Sequence, residues 1–274
     1  MSGKLYVVGT PIGNLEDFSP RAIRILGGVD FIAAEDTRVT LKLLNHFEIK
    51  KPLLAYFEHN KQEQGKNVIA RLLSGETCAL VTDAGMPAIS DPGEDLVRGC
   101  HENGIEIESV PGPVAFATAL AVSGMPSGRF CFEGFLSVNK PSRIKHLEEI
   151  KNEKRTLIFY EAPHKLLRTL SDLLSALGDR NIAVVRELTK IHETVFRTNL
   201  SGAVEYYSEN APKGEIVLII EGAKEKADAV YTLAQAVTLA RELMAEGSSA
   251  SAAAKEAAHI TGIKKSEIYK GIID

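Results

Sequence analysis

The sequence predicts an α/β protein built around a mainly parallel sheet. Short β-branched or aliphatic runs alternate with helical patterns from the first residues onward. Several of these runs end in turns rich in glycine and proline. The length, 274 residues with 45% hydrophobic and 25% charged, suits two domains and a small appendage.

The elements follow in order. Leu5–Val8 reads as a strand, and Ser19-Pro20 as a helix start with Ser as N-cap and Pro at the first helical position. Ala22, Ile25 and Leu26 keep helical spacing until Gly27-Gly28. Phe31–Ala34 is a strand, and Thr37 is the expected cap of a helix carrying Leu41, Leu44 and Phe47. Pro52–Phe57, Cys78–Thr82 and Ile105–Val110 are further strands, separated by helices over 61–73 and 94–103. An Ala-rich helix, Val114–Val122, closes a first domain at residue 123. Gly124–Arg129 reads as a linker into a second α/β domain, 124–226. Its strands are Phe130–Phe135, Thr156–Tyr160, Ile182–Val185, Thr194–Thr198 and Ile216–Ile220, with helices over 142–152, 164–177 and 201–209. The alternation in Thr194–Arg197 points to antiparallel pairing. Residues 227–274 change character: Ala-rich, strandless, with helices over 231–245, 249–259 and 264–273 and a turn at Thr261-Gly262. That outline fits a helix-turn-helix (HTH) domain, or equally a helical capping or dimerisation element.

Composition excludes several classes. Cys78, Cys100 and Cys131 form no CxxC pair and the seven histidines show no ligand spacing, so no metal site is expected. The cysteines read as those of a reduced compartment. The N-terminal run is too short for a signal peptide, and no stretch reaches a membrane span, so a cytoplasmic protein with no membrane contact is expected. The net charge of −4 argues against a general nucleic-acid coat. Residues 1–115 carry −5, residues 116–226 carry +2 and residues 227–274 carry −1, so polyanion contact is expected in the middle third.

Three strand-to-turn segments carry the chemistry. Val8-Gly9-Thr10-Pro11-Ile12-Gly13 follows the first strand, but Pro11 and Ile12 would obstruct a dinucleotide pyrophosphate. Thr82–Gly93 is a long loop with two Asp, two Gly and two Pro. It places Asp83 at a strand tip, where a carboxylate accepts hydrogen bonds from a ribose or an amine. Val110-Pro111-Gly112-Pro113-Val114-Ala115 repeats the layout, with Gly112 and Ala115 allowing a ligand close to the backbone. All three turns are expected to surround one crevice at strand carboxyl ends. No Walker A, HExxH or GxSxG motif occurs.

Gly9–Leu15, Ala34-Glu35-Asp36-Thr37-Arg38, Asp83–Gly93 and Pro111-Gly112-Pro113 together resemble the RNA-modifying branch of the tetrapyrrole methylase superfamily. Phe159–Lys165, Arg186–Glu193 and Lys213-Gly214-Glu215 extend the match over residues 4–223. The resemblance implies two α/β domains and an appended HTH-like domain. It implies S-adenosylmethionine as cofactor, 2′-O-methylation of a cytidine in the decoding region of 16S ribosomal RNA in the assembled small subunit, and a homodimer. It places the cofactor on Asp83, Ala84, Gly85, Met86 and Ile89, beside the backbone of Val114 and Ala115. Tyr160, Glu161, Leu188, Gly214, Glu215 and Ile216 would close that pocket from the second domain. The tetrapyrrole enzymes carry a more glycine-rich first turn, and Pro11-Ile12 departs from it.

A ribose hydroxyl needs a base to take its proton, worth about 10²–10⁴-fold in rate. Glu35, Asp36, Glu161, Glu187 and Lys190 stand at strand ends as candidates, and Arg38, Arg186 and Lys190 could bind phosphates. The basic stretch Lys140–Arg155, with Arg143, Lys145 and Lys151, is either a phosphate strip or a solvated helix face. Phe57, Phe135 and Tyr160 are the candidates for stacking on an unpaired base. A small-molecule methylase acting on a tetrapyrrole-like precursor is the alternative activity, with a non-catalytic cofactor-binding regulator a distant third.

Overall fold

A computed structural model describes residues 3–224 and 231–273. They fall into two compact units, Met1–Ala223 and Lys224–Asp274. The domain boundary expected at 226–227 lies outside the described residues.

The first unit opens with β1 (Lys4–Val8), α1 (Pro20–Gly28), β2 (Phe31–Ala34), α2 (Thr37–His46) and β3 (Leu53–Ala55). It continues with α3 (Lys61–Leu73), β4 (Cys78–Val81), α4 (Gly93–Glu102), β5 (Glu106–Val110) and α5 (Ala115–Ser123). The five strands form one parallel sheet in the order β3-β2-β4-β1-β5. Every residue of β2 and β4 is buried, as expected where helices cover both faces. Ser19 caps α1 as its sequence predicts, its hydroxyl accepting from the Ala22 N–H. The α2 cap is a correction: Asp36, not Thr37, accepts from the Arg38 N–H, and Thr37 is the first helical residue. β3 is also shorter than expected. Pro52 has no N–H to pair, and the Phe57 N–H goes to the Asn60 side chain, turning the chain toward α3.

A second sheet follows: β6 (Phe130–Phe135), β7 (Thr156–Glu161), β8 (Asn181–Arg186), β9 (Thr194–Asn199) and β10 (Ile216–Ile220). Its helices are α6 (Lys140–Ile150), α7 (Leu166–Leu177) and α8 (Leu200–Glu209). The order is β6-β7-β10-β8-β9, and only β6 and β7 pair parallel. The last strand inserts antiparallel between β7 and β8, which a run of hydrophobic residues alone does not reveal. β9 pairs antiparallel with β8, in line with its alternation.

The second sheet shares a core with the last helix of the first half. Ala119 and Leu120 of α5 pack with Ile158, Ala183, Val185, Val217 and Ile219 of the second sheet, and Ile12 joins them from the β1 turn. The first half's last helix therefore covers one face of the second sheet.

The second unit holds α9 (Leu233–Ala245), α10 (Ala250–Thr261) and α11 (Lys265–Ile273). Ala236, Ala240, Ala253, Ala254, Ala257 and Ile268 form its buried centre, so small side chains let the helices approach closely. Thr232 and Gln235 make a capping box, Ser249 caps α10, and Gly262 ends α10 with φ +70°.

Candidate active site

The carboxyl ends of β4, β1 and β5 lie side by side. The turn after β1 is stitched to the loop after β4. Thr10 and Gly85 exchange backbone hydrogen bonds of 2.8 and 3.2 Å, and the Thr10 hydroxyl donates to the Thr82 carbonyl. On the other side Gly9 meets Gly112 backbone to backbone: a Cβ on Gly9 would lie 2.7 Å from the Gly112 Cα. This corrects the expected role of Gly112, whose missing side chain makes room for Gly9, not for a ligand.

The 82–93 loop is tightly held. Ala88 and Ser90 adopt φ of +65° and +67°, a costly conformation for residues with a Cβ. Asp91 keeps them there, its Oδ1 accepting from the Ala88 N–H at 2.7 Å and the Gly93 N–H at 3.2 Å. Burial raises the Asp91 carboxyl above its ordinary range. Burial also raises Asp83, against the Asp36 N–H that donates to its Oδ1 at 3.0 Å. The Thr82 hydroxyl donates to Glu35 Oε2 at 2.5 Å. Three carboxylates thus gather around Thr82.

Across from these groups the second sheet supplies the ends of β7, β8 and β10. Together they enclose a cleft of about 420 Å³. Every residue expected to hold the cofactor lines it except Gly214: Asp83, Ala84, Gly85, Met86, Ile89, Val114, Ala115, Tyr160, Glu161, Leu188, Glu215 and Ile216. The Val114 side chain cannot cap α5, and the Tyr160 hydroxyl accepts the Phe116 N–H at 3.2 Å instead. Glu161 is buried with its carboxylate turned into the fold, accepting from the Ala162 N–H and the Thr169 hydroxyl.

The five acid–base candidates separate. Glu35 lines the cleft. Asp36 caps α2 and pairs with Arg38 at 2.6 Å, which lowers its carboxyl to about 2. Glu187 and Lys190 pair at 2.9 Å, with Glu215 3.1 Å from the same ammonium. That ammonium holds the Glu187 carboxyl below its ordinary range. Gly214, at φ +81°, leaves room for Glu187: a Cβ there would fall 2.1 Å from Glu187 Oε1. Among the described residues, Asp36, Arg38, Glu187 and Lys190 are not in the cleft wall.

Ala162, Pro163, Val185 and Val217 line the cleft unexpectedly, while Ile12 and Thr82 lie in turns expected to surround it. Ile12 stands out in the sequence only as an obstruction. Phe135, a stacking candidate, lines the cleft with its ring 5.5 Å from that of Tyr160, whereas Phe57 sits edge-on to His59. One residue of the Lys140–Arg155 stretch needs correction. Arg143 is buried and bonds Asp172 and the carbonyls of Ser137 and Val138. Lys145, Lys151 and Arg155 pair with Glu149, Glu148 and Glu153. Arg143 is therefore a buried structural residue and not a phosphate contact, while Lys145, Lys151 and Arg155 stay at the surface beside carboxylates.

The chain belongs to the tetrapyrrole (corrin/porphyrin) methylase family, which residues 4–204 match. It is 46% identical over 269 residues to the Synechocystis protein named ribosomal RNA small subunit methyltransferase I, covering 98% of this chain and 96% of that one. A Thermotoga maritima protein of the same name is 48% identical over 220 residues, 80% of this chain and 99% of its own. The uroporphyrin-III C-methyltransferase of Thermus thermophilus shares the fold, with a TM-score of 0.57 at 19% identity over 80% of this chain and 94% of that one. The protein is therefore an enzyme, a methyltransferase.

Proposed function

We propose that the protein transfers a methyl group from S-adenosylmethionine to the ribose 2′-oxygen of a cytidine in the decoding region of 16S ribosomal RNA. The near-end-to-end identity to proteins named for small-subunit ribosomal RNA carries this reading. The likeness to the uroporphyrin enzyme speaks for the fold alone, because one fold hosts many acceptors.

The cleft suits the cofactor in size, since small-molecule sites are about 300–1,000 Å³. Its aliphatic residues, Ile12, Ile89, Val114 and Leu188, offer an apolar bed for a purine. Asp83 and Asp91 bring acceptors for ribose hydroxyls and negative charge for a sulfonium. Bound there, S-adenosylmethionine supplies an electrophilic methyl group. The chain's task is to hold the acceptor hydroxyl in line and take its proton. Of the two acid–base candidates in the cleft wall, Glu161 has its carboxylate taken up by the Ala162 N–H and the Thr169 hydroxyl, so Glu35 is assigned that proton. Asp36, Arg38, Glu187 and Lys190 are assigned to positioning the two loops and to the RNA backbone.

We read residues 1–123 and 124–226 as two α/β domains. Residues 227–274 read as an HTH-like domain that adds affinity for the ribosomal substrate in a cytoplasmic homodimer. The tail is assigned affinity and not chemistry because the Thermotoga relative is matched almost entirely by four-fifths of this chain. A chain ending at residue 224 is expected to keep its affinity for S-adenosylmethionine by calorimetry and to show a raised KM for ribosomal subunits. Equal KM values for the full and shortened chains would remove the tail from substrate binding.

Labelled-methyl transfer tests the reaction. Small subunits lacking the modification and a panel of tetrapyrrole precursors are offered in parallel, and the product is digested to nucleosides. Labelled 2′-O-methylcytidine from 16S RNA is expected. Label in a tetrapyrrole alone would replace this reading with the small-molecule one.

A further inference from the structure

A second cleft, of about 370 Å³, opens on the other side of Thr82 and Asp83, which line both. Its remaining walls come from the turn after β1 and from one face of α2. Leu15, Val39 and Leu43 give it apolar sides. Thr40 lies in its wall, 3% exposed, and the Thr40 hydroxyl has no hydrogen-bond partner. A buried hydroxyl without a partner is costly unless something occupies it.

The charge on α2 is unusual for its surroundings. Residues 1–115 are net acidic, yet Arg38, Lys42 and His46 recur every fourth residue and so share a helix face. Lys42 and His46 line the cleft, and Arg38 stands one turn before them with its side chain 87% exposed. Eight residues of helix rise about 12 Å, so the Arg38 and Lys42 cations and the His46 ring make a short rail along the rim.

We infer that this second cleft receives the acceptor nucleotide: one unstacked nucleotide of single-stranded RNA, its base between Leu15, Val39 and Leu43 and its phosphates on the Arg38–Lys42–His46 rail. The inference rests on the RNA-methyltransferase reading and adds the place where the acceptor docks. A base seated between aliphatic side chains is shielded from water, and the Thr40 hydroxyl gains a partner on the base edge. The ribose then faces Asp83 and Thr82, the two residues that also border the cofactor cleft. A single-stranded acceptor fits better than a duplex, because an unpaired base can be splayed into a cleft of one-nucleotide size. A tetrapyrrole, with several peripheral carboxylates around a wide macrocycle, fits the rail's charge but not so small a space.

The test uses the full-length protein, unmodified small ribosomal subunits and S-adenosylmethionine. Lys42→Glu and Val39→Glu change residues at the cleft, Thr40→Val removes the lone hydroxyl at constant shape, and Lys66→Glu places the same charge change on α3. Subunit affinity is read by filter binding across salt concentrations, and cofactor affinity by calorimetry. Lys42→Glu and Val39→Glu are expected to weaken subunit binding at least tenfold with cofactor affinity unchanged. The salt slope of Lys42→Glu should flatten by about 0.7, one single-strand phosphate contact. Thr40→Val should weaken binding about fivefold, the worth of one hydrogen bond. Wild-type binding by both cleft variants, or an equal loss in Lys66→Glu, would overturn the assignment while leaving the function intact. A wild-type protein that neither binds nor methylates subunits would overturn both.

Discussion

Two loops face each other across the 420 Å³ cleft, and both hold residues with a Cβ at positive φ. In the first half they are Ala88 and Ser90; in the second, Glu187 and Thr189 at +53° and +65°. The tethers differ. The first loop is held by a half-buried carboxylate, Asp91, bonded to two backbone N–H groups. The second is held by a part-buried Lys190–Glu187 pair and, at the surface, by Glu215 on the same ammonium, 73% exposed, and by Glu193, whose carboxylate accepts from the Thr189 N–H at 2.7 Å. Hydrogen bonds to a sheltered acceptor are costly to lose, while exposed pairs contribute little. The first loop is thus a fixed wall and the second a softer one.

Asp91→Ala should have the largest effect. It leaves two N–H donors unsatisfied and releases the strained turn, at a cost of about 2–4 kcal/mol in urea unfolding. Cofactor affinity should fall at least tenfold by calorimetry. A loss no greater than that of Lys190→Met would erase the distinction between the loops.

Asp91→Asn sharpens it, because the amide oxygen can still accept both bonds without the buried charge. A carboxyl raised by burial adds stability below its unfolded value, and that stability is lost as pH rises through its folded value. The variant should therefore match wild type at acid pH and become the more stable of the two toward neutrality, by about 1 kcal/mol or less. A difference that shrinks as pH rises would mean that the charge itself holds the loop.

Lys190→Met should have the smallest effect, about 0.5 kcal/mol at low ionic strength and none in molar salt. An effect that survives high salt would mean that the Lys190–Glu187 bond is sheltered and not screened as a surface pair.

The first sheet was readable because its signals are local. Buried runs such as Phe31–Ala34 and Cys78–Val81, and the Ser19-Pro20 cap, need no distant partner. What escaped depends on which strands become neighbours. β10 enters between β7 and β8, and only that brings Val185 and Val217 to the cleft. Arg143 reads as surface charge until α7 presents Asp172 to it. Asp36 and Thr37 are both good caps, and the choice between them is made by backbone geometry at the end of β2. The cofactor residues were carried by resemblance to a family. The chemistry of the string alone offers five equal acid–base candidates; the fold brings Glu35 and Glu161 to the cleft and turns the Glu161 carboxylate inward.

The Gly9–Gly112 contact limits how this sequence can drift. Each glycine is required by the other's main chain, so neither admits a side chain while the other stays put. Most tight core contacts can be relieved by shrinking a neighbour, and such pairs drift together over many generations. Here no smaller residue exists on either side. The two positions should tolerate nothing in a saturation library, singly or in combination. They would leave no trace of covariation, although they sit in direct contact at the hinge of three strand ends.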